Sequence, residues 1–184
     1  MEQIKSVKSI LKTLILLLLV VGLAMFTLPK INNLWAPDTL DQKEEKLSAI
    51  LFSLPDSSSH QFAINNQDFI FEVVNTSASK TQGLSDRTEI GSDGMLFVFQ
   101  QPDRHGIWMK NMKFDLDLIW FLGNEIVDFS LAVPAPDNQL VDEASLPIYR
   151  PSQAADLVLE VRAGFVEKYE LEIGDRLSIV SFQQ

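Results

Sequence analysis

The sequence predicts a mainly β protein: a compact antiparallel barrel or sandwich with one or two short helices, preceded by a single transmembrane helix. Three observations support this class. A long apolar run stands near the N-terminus, and beyond residue 60 apolar and polar residues alternate in short, strand-like segments. Turn residues separate those segments. Cysteine is absent, so a buried apolar core rather than disulfides must stabilise the fold.

The first element, residues 1–29, is predicted to be a signal anchor. Residues 10–28 hold a single charge, and a helix of this length spans about 28 Å, close to the hydrocarbon thickness of a bilayer. Lysines at the start of the chain favour a cytoplasmic N-terminus, which places the remainder in the periplasm or outside the cell. A cleaved signal peptide, with a weak cleavage motif at 22–24, is the alternative.

Residues 30–59 are predicted to form a helical linker. Asp38 suits the N-cap of a helix, and Pro55 with the serines after it ends the helical pattern. Leucines at positions 40, 47, 51 and 54 fall near one face of that helix. We interpret this element as a charged spacer between anchor and domain. A helix that binds a partner or lies on the membrane surface is the alternative.

The exported domain is predicted to span residues 60–184 and to consist of short strands. The strand patterns cover residues 61–64, 68–76, 94–99, 116–122, 125–133, 156–163 and 176–182. Gly123-Asn124 predicts a hairpin, and short helices fit at 77–84 and 164–171. The loop 133–151 contains four prolines, so it either borders a binding site or crosses the surface as a solvated segment.

The strand at 114–122 places two carboxylates in an apolar run. Alternation puts Asp115 and Asp117 on one face with Ile119 and Phe121, while the even-numbered residues share the other face. A buried carboxylate must be paired or hydrogen-bonded, because an isolated charge in a core is prohibitively costly. We therefore predict a partner for Asp117.

Charge and motifs exclude several function classes. The chain has 15 Lys and Arg against 25 Asp and Glu, a net charge of −10. Because the first 29 residues contribute +2, the remainder carries −12 and should repel phosphate backbones, so no nucleic-acid partner is predicted. The sequence shows no phosphate-binding loop, nucleophile elbow or His-rich metal motif. We predict no cofactor and no metal.

Several motifs occur in an order that resembles a known bacterial and archaeal family, domain of unknown function 192. They are "GLSDR" at 83–87, "DGMLFVF" at 93–99, "IWMKNM" at 107–112, "FDLDLIWF" at 114–121, "VLEVRAG" at 158–164 and "LEIGDRL" at 171–177. The resemblance implies a compact, jelly-roll-like β domain, commonly exported, with no established activity. The chain departs from the family pattern at Ser85, Met112 and Asp115.

The same resemblance implies which positions carry the family signature. Its polar residues fall on Arg87, Lys110, Asn111, Asp117, Glu160 and Asp175. Its glycines and aromatics fall on Gly83, Gly94, Phe97, Trp108, Gly164 and Gly174. From these we select the ligand-binding candidates Arg87, Trp108, Lys110, Asn111, Asp117 and Glu160, while catalytic residues stay unassigned.

The first functional hypothesis is a membrane-anchored extracytoplasmic domain that binds a small ligand, a glycan or an envelope protein. Trp108, Asp117 and the loop 133–151 would border the groove. Membrane attachment would run through residues 10–28, and the oligomeric state is left open. The alternative is a carboxylate-dependent hydrolase of envelope or extracellular glycans, with Asp117 paired to Glu160 or Asp115.

Two further readings of the polar residues remain open. Arg87 and Lys110 could pair with Asp117 and Glu160 in a buried network that fixes strand register without any ligand. A Ca²⁺ or Mg²⁺ site would need Asp115 and Asp117 to be joined by loop carboxylates such as Asp137, Asp142 or Glu143, because hard cations take several oxygen ligands.

Overall fold

The structure, a computed structural model, describes residues 47, 49–137 and 145–180. Its strands are β1 (Ser58–Ile64), β2 (Gln67–Val74), β3 (Gly94–Asp103), β4 (Ile107–Trp108), β5 (Leu116–Leu122), β6 (Glu125–Val133), β7 (Ile148–Tyr149), β8 (Ala155–Arg162) and β9 (Leu177–Ile179). Its helices are α1 (Ser77–Gln82) and α2 (Phe165–Lys168). The mainly β class and the short helices are confirmed.

Seven strands form one curled sheet in the order β6-β5-β8-β3-β2-β1-β9. The two ends of this order meet at one point. Arg176, just before β9, forms an isolated antiparallel bridge with Glu125. The amide of Ile126 donates to the carbonyl of Asp175 at 2.8 Å, and the amide of Leu177 donates to the carbonyl of Asn124 at 2.8 Å. The sheet is therefore a half-barrel that is joined at one end.

The pairing differs from the predicted antiparallel barrel or jelly-roll-like sandwich in two ways. The strands β2 and β3 pair in parallel, with α1 in the connection between them. The described strands also form one curled sheet and a separate β4–β7 ribbon rather than two packed sheets. Neither short strand was predicted, because two residues are too few to show an alternating pattern.

One predicted hairpin is confirmed, and a second hairpin is found that was not predicted. The strands β5 and β6 form the hairpin predicted at Gly123-Asn124. The β1–β2 hairpin turns at Asn65 and Asn66, which have φ angles of 50° and 63°. Two successive positive φ angles are the requirement of a type I′ turn, and asparagine tolerates them better than most residues.

The sheet buries an apolar cluster on each face. One cluster joins strands from both ends of the sheet, through Phe62, Phe71, Phe121 and Leu177, so it fills the concave side. The other covers the convex side beneath α1 and the segments 84–90 and 107–112, and it contains Phe97, Leu118 and Trp120. The predicted separation of residues 116–121 onto two faces is confirmed, since Leu118 and Trp120 lie opposite Ile119 and Phe121.

The predicted anchor at 1–29 and most of the predicted linker at 30–59 lie outside the described residues. Residues 47 and 49–53 are helical, and Leu51 packs fully buried against the concave cluster. Of residues 47, 49–137 and 145–180, none belongs to a helix with the length and apolar character needed to cross a bilayer.

Candidate functional site

Asp117 is a buried carboxylate that is satisfied by the backbone. Its side chain is 2% exposed on the concave side of β5. Oδ1 accepts from the amide of Ala132 at 2.9 Å, and Oδ2 accepts from the amides of Gly164 at 2.9 Å and Val166 at 3.2 Å. The prediction that Asp117 has a partner is confirmed, but the partners are backbone amides rather than Arg87 or Lys110.

Arg87 also has a structural partner. Its guanidinium forms two hydrogen bonds to Glu72 on β2, at 2.7 and 3.0 Å. The carboxylate hydrogen bonds, followed by the attraction of its charge, raise the pKa of Arg87. The hypothesis of an Arg87 pair with Asp117 or Glu160 is therefore wrong, and this residue is taken up by the sheet.

Glu160 lies on the opposite face of the sheet from Asp117. In the β-ladders it stands beside Leu118 of β5 and Met95 of β3, both of which belong to the convex cluster. Its side chain is 5% exposed. Within the described part of the chain its carboxyl has no hydrogen bond and no ion pair. Burial raises the pKa of Glu160 to about 8.

Glu160 lines a small pocket of about 60 Å³ on the convex side. Its walls come from the end of α1 and the residues after it, from β3, and from β4 with the residues beside it. The lining side chains include Lys80, Leu84, Ser85, Phe97, Trp108 and Met112. Gly83 has a φ of 49°, and a Cβ there would come within 3.2 Å of the Phe97 ring. Glycine thus allows the wall to approach β3 closely.

Hydrogen bonds join the two loops that form the wall. The Ser85 hydroxyl donates to the carbonyl of Lys110 at 2.9 Å, and the amide of Asp86 donates to the carbonyl of Asn111 at 3.0 Å. Asn111 has a φ of 55°, and its side-chain amide lies 3.4 Å from the Asp86 carboxylate. Asn111 therefore shapes the wall and does not line the pocket.

Trp108 stands at the open side of the pocket. Its side chain is 38% exposed, and the Lys110 ammonium lies 5.4 Å from the centre of its ring. In the β4–β7 ribbon Trp108 pairs with Ile148, which is 57% exposed. The ribbon brings the end of the loop 133–151 beside Trp108. Asp117 lies across the sheet and takes no part in the predicted groove.

Of the six predicted ligand-binding residues, Trp108 and Glu160 line one pocket and Lys110 lies next to it. Arg87, Asn111 and Asp117 serve other contacts. The lining residues that we did not select are Lys80, Thr81, Gln82, Gly83, Leu84, Ser85, Phe97, Gly106, Ile107 and Met112. The family resemblance already marked Gly83 and Phe97, whereas the others read as ordinary helix, loop or core residues.

The paired-carboxylate arrangements are not formed as predicted. Asp117 and Glu160 cannot act on one bond, because the sheet separates their side chains. The Asp115 carboxylate accepts a hydrogen bond from the amide of Ala135 at 2.8 Å. Like Asp117, it therefore binds a backbone amide. In the described ranges no group of three or more His, Asp or Glu side chains is placed to hold a metal ion. Asp142 and Glu143 lie outside those ranges.

A larger hollow of about 320 Å³ opens beside α2. Ser92, Asp93, Arg162, Phe165 and Tyr169 contribute to its lining. It is shallow, and its charges are engaged: Asp93 accepts from the amide of Ile70 at 2.7 Å, and the Arg162 guanidinium lies 4.6 Å from the ring centre of Phe114. The Glu160 pocket is the stronger candidate because it alone contains a buried carboxyl without a hydrogen-bond partner among the residues described.

Comparisons with known proteins agree with this fold. Residues 59–179 match the family DUF192, described as Uncharacterized ACR. A crystal structure of a proposed transcription regulator from Sinorhizobium meliloti 1021 is 24% identical, with a TM-score of 0.58 over 69% of this chain and 98% of that chain.

A second crystal structure, of a protein of unknown function from Novosphingobium aromaticivorans DSM 12444, is 23% identical. Its TM-score is 0.55, over 65% of this chain and 84% of that chain. At these identities the likeness concerns the fold alone. The chain has no significant match among curated proteins.

Proposed function

The chain belongs to the DUF192 family, which is described as uncharacterised, and from the geometry of its own site we propose a binding function. The Glu160 pocket would bind a small ligand or the end of a glycan. We call this site the Glu160 pocket, defined by Glu160, Trp108, Phe97, Leu84 and Met112. The ligand would insert one small group beside Glu160 and rest its remainder on Trp108 and the β4–β7 ribbon.

One observation carries the proposal: a buried carboxyl group lines a small pocket and has no hydrogen-bond partner among the described residues. Buried polar groups are almost always satisfied, and an exception calls for an explanation. Replacing an unpartnered ionisable group by an apolar one generally stabilises a protein. A ligand that completes the hydrogen bonds of Glu160 explains why the group is there.

Hydrolysis of a glycosidic bond is less well supported. A raised pKa suits a general acid, but glycoside hydrolysis generally requires a second carboxylate about 5 to 10 Å away, across the scissile bond. Among the described residues that line the Glu160 pocket, Glu160 is the sole carboxylic acid. Binding is therefore the function that this geometry supports best.

The proposed setting is the outer side of a membrane, with residues 10–28 as the anchor. The support is the length and apolar character of that segment and the lysines near the start of the chain. An envelope protein that carries the bound group is a further possible source of the ligand. Immunoblotting of membrane and soluble fractions checks the location, and a shortened soluble chain beginning near residue 25 would contradict the anchor.

The binding proposal is tested by methyl NMR of the full-length chain. A fragment library containing monosaccharides, amino acids, amines and small acids is added while the Leu84 and Met112 methyl signals are followed. At least one fragment class should shift both signals, and Trp108→Ala should weaken that binding several-fold. Ile173→Ala is the matched control, because Ile173 is an exposed apolar residue that does not line the pocket. Equal effects of the two substitutions, or no shift with any fragment, would contradict the proposal.

A further inference from the structure

Within the described residues, no cation is paired with the Glu160 carboxyl. Its pocket is lined by aromatic rings, a thioether and aliphatic groups, together with the polar side chains of Lys80, Thr81, Gln82 and Ser85. The faces of Phe and Trp rings attract cations, and this attraction grows where water is excluded. The Glu160 pocket therefore offers an incoming group one carboxyl group and the Phe97 ring, with the Trp108 ring at its open side, a combination that suits a positive charge.

The charged side chains on the elements around Glu160 already have other contacts. The Lys80 ammonium on α1 donates to the carbonyl of Val98 at 2.7 Å and lies 4.8 Å from the ring centre of Phe99. Lys110 lies over the Trp108 ring. Along β8, the Asp156 carboxylate accepts from the amide of Gly123 at 2.7 Å, and the Arg162 guanidinium lies 4.6 Å from the ring centre of Phe114. Among the described residues, these contacts leave the Glu160 carboxyl without a counter-ion.

We infer that the Glu160 pocket takes the terminal ammonium of an aminoalkyl group, with Glu160 as its counter-ion and the Phe97 and Trp108 rings beside it. This inference rests on the proposed ligand-binding function and narrows it to one ligand class. The net charge of −12 beyond residue 29 acts in the same direction, since an acidic domain draws cations toward its surface.

The size of the pocket limits what enters. Its volume of about 60 Å³ is well below the roughly 300 Å³ of a pocket that encloses a drug-sized ligand. We therefore expect a terminal group, such as a methylene and its ammonium, to enter while the rest of the ligand stays outside. The remainder of the ligand would lie along Trp108, which is exposed at the open side.

Binding of an ammonium changes the protonation of Glu160. At neutral pH the free carboxyl is mostly protonated, so it loses its proton to solvent when the ammonium enters, while the ammonium keeps its own protons and no covalent bond changes. Affinity therefore rises with pH. With a pKa of about 8, the ionised fraction rises about tenfold from pH 6 to pH 7 and about twofold from pH 8 to pH 9.

The test uses three probes of similar size: butylammonium, 1-butanol and butyrate. Each is titrated into the full-length chain at pH 6, 7, 8 and 9 while the Leu84 and Met112 methyl signals are followed. Butylammonium should bind with an affinity that rises about tenfold between pH 6 and pH 7. Glu160→Gln should abolish this pH dependence and weaken binding at pH 8 at least about tenfold, because the amide carries no charge.

Asp156→Asn is the matched control, since Asp156 is a buried acid on the same strand and face that does not line the pocket. It should keep the pH dependence of butylammonium binding. Should it fail to fold, Ile173→Ala serves as the control, because Ile173 is exposed and does not line the pocket. Retained pH dependence in Glu160→Gln, or its loss in the control, would overturn the role of Glu160.

The outcomes separate this inference from the proposed function. If butanol or butyrate shifts the pocket signals and butylammonium does not, the ammonium inference is wrong and ligand binding stands. If none of the three binds but a fragment of another class does, the same conclusion follows. If no fragment of any kind binds, both proposals are wrong.

The aminoalkyl group could belong to a small amine or to a lysine of an envelope protein. Putrescine represents the first source, and Nα-acetyllysine N-methylamide represents the second. Tighter binding of the lysine derivative would point to a protein ligand, because its backbone-like end can contact Trp108 and Ile148. Tighter binding of putrescine would point to a free amine.

Discussion

Two buried acids stand on opposite faces of the same sheet, and their surroundings differ completely. Asp117 on the concave side accepts three backbone amide hydrogen bonds, from Ala132, Gly164 and Val166. Glu160 on the convex side lines a pocket and has no hydrogen bond or ion pair within the residues described. Both are nearly inaccessible, at 2% and 5%. Burial alone therefore does not reveal what a carboxyl group does.

The difference shows which acid supports the fold and which is available for a ligand. Asp117 connects β6 to the start of α2, so it joins segments that are far apart in sequence. Removing it would leave buried amides without acceptors, which destabilises a fold. Glu160 makes no such connection, and its ionisation opposes folding because the charge is desolvated. Four predictions test this contrast, from the largest expected effect to the smallest.

The largest effect concerns the pH dependence of stability. The pKa of Glu160 is about 8 in the fold and near the ordinary 4.5 in the unfolded chain, so the folded state holds the proton more tightly between these values. The contribution of the Glu160 carboxyl to folding stability is fully present below pH 4.5 and is lost as the pH rises to 8. Relative to Glu160→Gln, wild type should lose on the order of 4 kcal/mol across this window.

Urea unfolding of both full-length chains at pH 4.5, 6.5 and 8.5 checks this expectation. The amide of Glu160→Gln does not titrate, so other groups cancel in the difference between the two chains. A difference that stays constant over the three pH values would mean that Glu160 ionises normally in the fold.

Asp117→Asn should destabilise the protein by about 3 kcal/mol at pH 7. The asparagine amide can accept at one atom only, so its NH₂ group opposes at least one of the backbone amides that the carboxylate now satisfies. Asp115→Asn is the control, with an expected loss below about 1 kcal/mol, because Asp115 is exposed and accepts from Ala135 alone. Similar losses in urea unfolding would show that Asp117 is not a special structural residue.

Arg87 belongs with Asp117 as a structural residue. Its two hydrogen bonds to the partly buried Glu72 should contribute about 1 kcal/mol to the free energy of unfolding. This value lies in the upper part of the range for half-exposed ion pairs. A double-mutant cycle with Arg87→Met and Glu72→Gln measures this coupling by urea unfolding. A coupling energy near zero would leave Arg87 available for another role.

The smallest effect on stability is expected at Trp108. Because its side chain is 38% exposed, Trp108→Ala should change the unfolding free energy by less than about 1 kcal/mol while it weakens ligand binding. Trp120→Ala should cost about 4 kcal/mol, since Trp120 is fully buried in the convex cluster. Comparable losses would mean that Trp108 is a core residue rather than part of a binding surface.

Much of the fold could be predicted from the sequence, because alternation and turn residues are local signals. The strands from β1 to β3, the β5–β6 hairpin and β8 appear close to the predicted positions, and the two faces of β5 were assigned correctly. The parallel pairing of β2 with β3 could not be predicted, because it depends on how α1 returns the chain to the sheet.

The candidate site was less predictable because its key contacts are non-local. The sequence showed that Asp117 needs a partner, but amide donors occur at every non-proline residue and leave no mark in the sequence. Glu160 lies in the alternating segment "DLVLEVRA", where its face reads equally well as exposed. Its burial depends on the segments 84–90 and 107–112, which pack over that face.

The most direct test is a ¹³C NMR titration of the Glu160 carboxyl in the full-length chain without ligand. Glu160→Gln identifies the signal by its absence. If Glu160 is a buried, unpartnered acid in a pocket, the signal should titrate with a midpoint near pH 8. A midpoint near the ordinary value of 4.5 would contradict the account, because it would mean that the carboxylate is already solvated or paired in the free protein.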